Sequence, residues 1–218
     1  MLRALGDKGV RVLVIDDSSP DGTGELADRL AAELDHVGVL HREHKAGLGP
    51  AYLAGFRRAL AEGAELVLEM DCDFSHDPDD VPRLVAAVQE GADVALGSRY
   101  VNGGSVRNWG PLRRFVSAGG SFYARVLLGT NVRDLTGGFK CYRRRVLETI
   151  DLDSIHSKGY AFQIETTYRA LRAGFRVVEI PITFVDREIG GSKMSKAIVV
   201  EAVWKVPALR LAALTGRL

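Results

Sequence analysis

The most constraining feature of this sequence is the alternation of short apolar runs with longer helix-period segments in its N-terminal half. The apolar runs have the length of strands and occupy residues 10–15, 37–40, 66–70 and 93–96. The helix-period segments between them occupy residues 22–34, 49–62 and 81–90. Repeated strand–helix units build parallel sheets with helices on both faces. The sequence therefore predicts an α/β fold with a Rossmann-like, mostly parallel sheet.

The C-terminal half keeps strands and helices but loses their regular order. It predicts helices at residues 113–128 and 161–173, a short strand at 139–142 and a long strand at 175–185. Because proline cannot donate to a strand ladder, Pro181 predicts that the long strand is an edge or bulged strand. A length of 218 residues, against about 150 per domain, predicts one domain over residues 1–218.

The tail, residues 196–218, reads as an amphipathic helix that either packs on its own domain or lies on a membrane surface. Charged residues interrupt it, and Pro207 is expected to kink or end the helix. No uninterrupted apolar run reaches the roughly 18 residues that a membrane span requires, and no signal peptide is expected before Val10. Any membrane contact is therefore expected to be peripheral.

Charge is balanced over the whole chain but not along it. The formal net charge is +1, which gives no reason to expect a nucleic-acid partner, yet residues 99–145 hold 10 Lys/Arg and only one Asp/Glu. Such a run is either a solvated face or an anion site built from loops. Only two cysteines are present, so neither a structural zinc site nor a disulfide framework is expected, and a reducing, cytoplasmic setting is favoured.

Two adjacent acids, Asp16 and Asp17, follow the first predicted strand. They lie at the carboxyl edge of a parallel sheet, where open α/β folds bind ligands. Asp17 or Ser19 could instead cap the next helix, although two adjacent acids are more than a cap needs. The chain contains no GxGxxG motif, so a dinucleotide site is not expected.

A second acidic group, Asp71 and Asp73, closes the third strand. Residues two apart in extended backbone point to the same side, so both carboxylates can reach a single ion. Hard oxygen ligands without a Cys/His cluster favour Mg²⁺ or Mn²⁺, commonly shared with a diphosphate. Asp77 to Asp80 are expected to cap the following helix.

The basic stretch offers a candidate phosphate cradle. Arg99 follows the fourth strand, and Arg113 and Ser117 lie on the next helix. Guanidinium groups bind phosphate oxygens through paired hydrogen bonds, so converging arginines with a hydroxyl suit a phosphate group. The glycine-bearing loop of residues 186–193 is suited to closing over a ligand.

Six motifs together resemble glycosyltransferase family 2, and within it the dolichol- and polyprenol-phosphate mannose synthases. They are VLVIDDSSPDGT at residues 12–23, HKAGLGPAY at 44–52, MDCDFSHDP at 70–78, GSRYVNGG at 97–104, DLTGGFKCYRR at 134–144 and FVDREIGGSKM at 184–194. The motifs run in the family's order over nearly the whole chain.

This resemblance implies a GT-A fold and inverting transfer of mannose from GDP-mannose to a polyprenyl (dolichyl) monophosphate at the cytoplasmic face of a membrane. The residues it implies are Asp16, Asp17, Asp71, Arg187 and Lys193 for the nucleotide, Asp71 and Asp73 for Mg²⁺ or Mn²⁺, and Arg99, Arg113 and Ser117 for the acceptor phosphate. Where relatives often carry Gln two residues after the second of these metal-binding aspartates, this chain has Ser75, which we predict as a further, shorter metal ligand. A membrane-anchoring subunit or domain is a further possible partner.

One departure from the family concerns the start of the chain. Relatives open with a strand that contacts the nucleotide base, whereas residues 1–9 resemble only the end of the helix that follows it. We expect one flank of the strand at residues 10–15 to be unpaired, because of a truncation or because a partner supplies the strand.

Two alternatives remain at this stage. Sister branches of the family use UDP-glucose on a similar lipid phosphate. A phospho-receiver signalling module also has a strand ending in two acids and a later strand ending in Asp71, but it expects one phosphoacceptor and a strand-end lysine.

Overall fold

The computed structural model describes residues 1–186, 196–216 and 218. Its helices are α1 Leu2–Gly6, α2 Thr23–Glu33, α3 Leu48–Ala61, α4 Val81–Gln89, α5 Pro111–Leu128, α6 Arg144–Thr149, α7 Gly159–Arg172 and α8 Lys196–Leu214. Its strands are β1 Val12–Asp16, β2 Val37–His41, β3 Leu66–Glu69, β4 Val94–Ser98, β5 Ser105–Arg107, β6 Lys140–Arg143, β7 Val177–Pro181 and β8 Thr183–Val185. The predicted alternation of strands and helices through β4 is confirmed to within a few residues.

The strands form three hydrogen-bonded sets. β1 pairs with β2 in parallel, β5 pairs with β8 in parallel, and the largest set has the order β3-β6-β4-β7. Within the described residues β1 pairs only with β2, which matches the expectation that one of its flanks has no strand partner. The strand β6 runs antiparallel to both of its neighbours, so the sheet is mixed at this point.

The long strand expected at residues 175–185 is two strands in two different sets. β7 pairs with β4 at the edge of the four-stranded set, which confirms the edge position. After Pro181 the chain moves away and forms β8 beside β5, a short strand that the sequence analysis did not predict. This change of partner brings residues 183–186 next to the basic stretch.

Helices cover both faces of the four-stranded set. Alternate strand residues point to opposite faces, so Val94 and Tyr142 pack with α3 and α7 while Ala95 and Cys141 pack with α4. A further apolar cluster joins α5, α7 and α8 through Leu128, among others. The helices on both faces follow the predicted architecture.

The terminal helix α8 differs from its prediction in two respects. It continues through Pro207, where the sequence predicts a kink or an end. Leu209 is buried, whereas Trp204 and Leu211 are exposed, so apolar side chains lie on the outer side as well as the inner side. Among the described residues, no helix is long and apolar enough to cross a membrane.

Candidate active site

The two acids that follow β3 are each oriented by a neighbouring hydroxyl group. The Tyr52 hydroxyl, from α3, donates to Oδ1 of Asp71 at 3.3 Å. The backbone N–H and the hydroxyl of Ser75 both donate to Oδ1 of Asp73, at 3.0 and 2.5 Å. Burial raises the pKa of Tyr52 well above its usual value, so its hydroxyl stays protonated and remains a donor.

The position of Ser75 bears on its predicted role as a metal ligand. Its side chain is buried, and its hydroxyl hydrogen is directed to Asp73. The structure therefore shows Ser75 as a residue that orients Asp73, and direct coordination of an ion by Ser75 stays a prediction.

The donor set at this position fits a divalent ion that is shared with a substrate. In the described part of the chain, no group of three or more His, Cys, Asp or Glu side chains could hold an ion on its own. Mg²⁺ is usually bound by one or two carboxylates together with substrate phosphates. Asp71 and Asp73 provide such an incomplete set of oxygen ligands in the loop that follows β3.

Asp16 and Asp17 organise the loops that follow β1 and β2. Asp16 accepts a hydrogen bond from the backbone N–H of Ser19 and contacts His41. Hydrogen bonding to the Ser19 side chain lowers the pKa of Asp16 most strongly. Asp17 pairs with Arg42 and accepts from the backbone N–H of Gly47 at 2.8 Å, just before α3. These contacts give Asp17 a structural task, and nucleotide contacts by either acid stay predictions.

Arg99 lies at the end of β4 and is almost completely buried. Its Nε donates to Oδ2 of Asp134 at 2.7 Å, and its Nη2 donates to Oδ1 at 2.6 Å and to Thr136 at 2.8 Å. The described residues offer no acceptor to Nη1. Asp134 therefore fixes the orientation of a guanidinium group that keeps a hydrogen-bond donor for a ligand.

Arg113 and Ser117, on the first turns of α5, reach the same region as Arg99. The Tyr100 hydroxyl donates to the Ser117 hydroxyl oxygen at 2.8 Å, which leaves the serine hydrogen for another acceptor. Arg113 pairs with Asp186. The structure thus brings together the three residues predicted to hold the acceptor phosphate, which we call the cationic cluster.

The ring of Trp109 contacts both arginines of the cationic cluster. The Trp109 ring centroid lies 4.4 Å from the guanidinium carbon of Arg113 and 5.5 Å from that of Arg99. Such contacts between a cation and a ring are attractive, most of all for tryptophan.

Strand β8 connects the cationic cluster to the loop of residues 70–77 after β3, which carries Asp71 and Asp73 and which we call the acidic loop. The Phe184 ring contacts Trp109 on one side and His76 on the other, each at a centroid distance of 5.3 Å. The backbone N–H of Val185 donates to the Ser75 carbonyl at 3.1 Å. Burial and the nearby charge of Arg99 lower the pKa of His76 to about 4, so His76 packs here as a neutral ring.

A buried polar cluster behind the site escaped the sequence analysis. The Lys140 ammonium group lies 3.3 Å from Oε1 of Glu69 and donates to the Gln163 side chain at 2.5 Å. Burial raises the pKa of Glu69 to about 7 and lowers that of Lys140. Lys140 belongs to a quoted motif, but spacing alone does not show that it points into the core.

Two further site residues belong to motifs quoted in the sequence analysis, which assigned them no role. Tyr52 ends the second motif and Asp134 begins the fifth, and only the fold brings them to Asp71 and Arg99. The predicted nucleotide contacts Arg187 and Lys193 lie outside the described residues.

Comparison with known proteins identifies the family. The profile of glycosyl transferase family 2 matches residues 2–151, which is more than half of the chain. The chain belongs to glycosyl transferase family 2. Membership confirms the predicted enzyme class, a glycosyltransferase, and decides against the phospho-receiver alternative.

Curated relatives of this family 2 glycosyltransferase match most of its length. It is 57% identical over 199 residues to polyprenol monophosphomannose synthase of Mycolicibacterium smegmatis, covering 90% of this chain and 75% of that protein. It is 54% identical over 202 residues to undecaprenyl-phosphate mannosyltransferase of Micrococcus luteus, covering 93% of this chain and 83% of that protein.

Solved structures share the fold at lower identity. Glucosyl-3-phosphoglycerate synthase from Mycobacterium tuberculosis, in complex with Mn²⁺, UDP-glucose and phosphoglyceric acid, gives a TM-score of 0.66 at 18% identity, over 91% of this chain and 68% of that one. The same synthase with Mg²⁺ and UDP gives a TM-score of 0.64 at 19% identity, over 90% and 67% of the two chains. These likenesses confirm the predicted GT-A fold.

Proposed function

We propose that this enzyme transfers mannose, with inversion, from GDP-mannose to a polyprenyl (dolichyl) monophosphate, giving polyprenyl-phosphate mannose. The observation that carries the proposal is the junction at β8, where Phe184 and Val185 join the acidic loop to the cationic cluster. A carboxylate pair for a donor diphosphate thus adjoins arginines for an acceptor phosphate. The names of the two relatives above, at 57% and 54% identity, support the same reaction.

On the donor side, Asp71 and Asp73 would hold Mg²⁺ or Mn²⁺ together with the diphosphate. A bound divalent ion supplies positive charge to the leaving nucleoside diphosphate. Tyr52 and Ser75 keep the two carboxylates in place. Asp16 and Asp17 are assigned to the nucleoside end, with Arg187 and Lys193 on the closing loop.

On the acceptor side, Arg99, Arg113 and Ser117 would bind the phosphate group of the lipid. Asp134 holds Arg99 in one orientation, so binding does not have to order a free side chain. Tyr100 directs its hydroxyl hydrogen to Ser117, whose own hydrogen can then point to a phosphate oxygen.

The chemistry needs no general base from the protein. A phosphate monoester has a second pKa of about 6 and is largely a dianion at neutral pH. One of its oxygens attacks C1 of mannose from the face opposite the leaving group, as the bond from C1 to the diphosphate oxygen breaks. GDP leaves with the bonding electrons, no proton is transferred, and the α-linked donor gives a β-linked product. The task of the cationic cluster is to hold the nucleophile in line.

The helix that carries Arg113 and Ser117 also has an apolar outer side. Leu112, Phe115 and Phe122 of α5 are exposed, and α8 packs beside it with Trp204 exposed. We assign these side chains to contact with the membrane that contains the lipid acceptor, with the enzyme peripheral at its cytoplasmic face. Anionic headgroups would attract the neighbouring arginines. A membrane-anchoring subunit or domain would strengthen this attachment.

The test is transfer of labelled sugar by the purified protein to a polyprenyl phosphate, with GDP-mannose and UDP-glucose in parallel and with Mg²⁺ or Mn²⁺ added. We expect mannose transfer to exceed glucose transfer and the product to be β-linked. Omitting the divalent ion should abolish turnover. A product that is mainly glucosylated would overturn the donor assignment, and an α-linked product or a trapped mannosyl-enzyme would overturn the mechanism.

A further inference from the structure

The side chain of Trp109 has a buried hydrogen-bond donor that the fold does not use. Only 9% of the residue is exposed. Its Nε1–H is one of three buried side-chain polar atoms without a partner among the described residues, the others being Oε2 of Glu69 and Nε2 of Gln163. Buried tryptophan N–H groups usually find an acceptor, because leaving one unpaired costs free energy.

The three unpaired atoms lie in different surroundings. Those of Glu69 and Gln163 belong to the polar cluster around Lys140 in the core. The indole of Trp109 instead contacts the guanidinium groups of Arg113 and Arg99, at 4.4 and 5.5 Å from the ring centroid. Of the three side chains, only that of Trp109 contacts the cationic cluster within the described part of the chain.

We propose that Nε1–H of Trp109 donates a hydrogen bond to an oxygen of the acceptor phosphate, as a fourth binding group beside Arg99, Arg113 and Ser117. The inference rests on the proposed function and deepens it. An indole nitrogen can donate but cannot accept, so its partner must be an acceptor atom such as a phosphate oxygen. The guanidinium groups of Arg113 and Arg99, which contact the same ring, also attract anions.

A neutral hydrogen-bond donor would orient the phosphate at a site where the arginines attract it by charge. Arg113 already shares its charge with Asp186, and Arg99 with Asp134. A phosphate monoester has three terminal oxygens, and a donor fixed by the packing of Trp109 against Phe184 can select which of them is held. Another oxygen is then left for attack on the sugar, so the indole acts on acceptor binding rather than on proton transfer.

The first test is Trp109→Phe, which removes the N–H but keeps an aromatic ring for Arg113 and Phe184 to pack against. We expect the KM for a short, water-soluble isoprenyl phosphate to rise about tenfold or more, as for a lost hydrogen bond to a charged group, with the KM for GDP-mannose unchanged. The matched control is Tyr123→Phe, which removes a ring donor of α5 that is bonded to the Val203 carbonyl of α8. The control should leave both constants unchanged.

The second test is measured on the wild-type protein, so its result does not depend on whether Trp109→Phe folds. The chain has only two tryptophans, so Trp204→Phe assigns both indole N–H signals in an NMR spectrum of protein with labelled tryptophan. We expect the Trp109 N–H proton to shift downfield on addition of the isoprenyl phosphate. The matching isoprenol, which lacks the phosphate, should leave it in place.

The outcomes separate this inference from the proposed function. If Arg113→Ala raises the acceptor KM while the Trp109 signal does not move and Trp109→Phe behaves like wild type, the phosphate site stands and the role of Trp109 is refuted. If Arg113→Ala also leaves the acceptor KM unchanged, the phosphate site itself is wrong. An equal shift with isoprenol would show contact with the hydrocarbon and would overturn the proposed hydrogen bond.

Discussion

The guanidinium group of Arg99 and the carboxylate of Asp134 form a buried ion pair through two side-chain hydrogen bonds, of 2.7 and 2.6 Å. The backbone N–H of Arg99 donates to the same carboxylate at 2.9 Å. Asp134 in turn is held in place because its own backbone N–H donates to Glu179 on β7. One carboxylate therefore fixes both the backbone and the side chain at the end of β4.

Removing Asp134 should destabilise the protein strongly. Asp134→Ala leaves the Arg99 charge buried without its partner, and we expect a loss of about 3–5 kcal/mol in the free energy of unfolding. The control is Asp153→Ala, which breaks an exposed pair with Arg57 and should cost no more than about 1 kcal/mol. Urea unfolding followed by circular dichroism measures both. Similar losses for the two variants would contradict a buried pair at Arg99.

The assignment of the metal site predicts a sharp contrast between two nearby aspartates. Asp73→Ala should abolish turnover. Asp77→Ala removes the carboxylate that caps the turn before α4, so it should cost about 1 kcal/mol of stability and little activity. Transfer assays and thermal melts of both variants test this. Comparable losses of activity would show that the metal site is misassigned.

The cationic cluster predicts a similar contrast between two arginines. Arg113→Ala should raise the KM for polyprenyl phosphate about tenfold or more, because it removes a charged donor at the phosphate. Arg144 is bound to Glu148 and to the Leu60 carbonyl, away from the cluster. Arg144→Ala should leave the KM unchanged. If it impairs acceptor use equally, the basic stretch acts only as a diffuse charged surface.

Much of the fold could be predicted from the sequence because strand runs and helix periods are local patterns. The change of partner at Pro181 could not, because the place where β8 finds β5 depends on contacts between residues about 80 positions apart. The same holds for Pro207, whose helix continues because Leu209 and Val206 are buried against α5 and α7. Packing of this kind outweighs the local preference of proline.

The candidate site shows the same division. The spacing of Asp71 and Asp73 predicts a shared ion if their backbone is extended. In the structure β3 ends at Glu69, and both acids lie in the loop that follows it. The burial of Arg99 and the contacts of Trp109 with two arginines depend on loops that converge only in the folded chain. A basic stretch in the sequence thus does not distinguish an exposed arginine from one held by a carboxylate.

A further prediction concerns the pKa of His41, which contacts Asp16, one of the acids predicted to bind the nucleotide. Hydrogen bonds to Asp28, and then to Asp16, raise the pKa of His41 above its usual value of about 6.5. A raised pKa means that protonated His41 favours the folded state. This stabilisation is fully present below about pH 6.5, the unfolded value, and is lost as the pH rises through the folded pKa.

NMR titration of the His41 ring protons measures this pKa directly. Asp28→Asn should bring it back toward the usual value, because the partner that raises the pKa of His41 most loses its charge. Asp35→Asn is the control, since Asp35 is exposed and has no contact with His41 among the described residues. A pKa of His41 that is unchanged in Asp28→Asn would refute the contact.

The exposed apolar side of α5 predicts how the enzyme meets the membrane. Leu112 and Phe115 are 75% and 77% exposed, and they lie one and two residues from Arg113 in the sequence of α5. Because exposed side chains contribute little to the folded core, Leu112→Ser should leave the melting temperature nearly unchanged. It should weaken binding to anionic liposomes about tenfold, as expected when one leucine side chain no longer leaves water.

The control is Leu26→Ser. Leu26 lies on α2 and is 48% exposed, so this variant should bind liposomes like the wild type. Liposome co-sedimentation of both variants decides the matter, since equal weakening would mean that α5 is not the face that touches lipid.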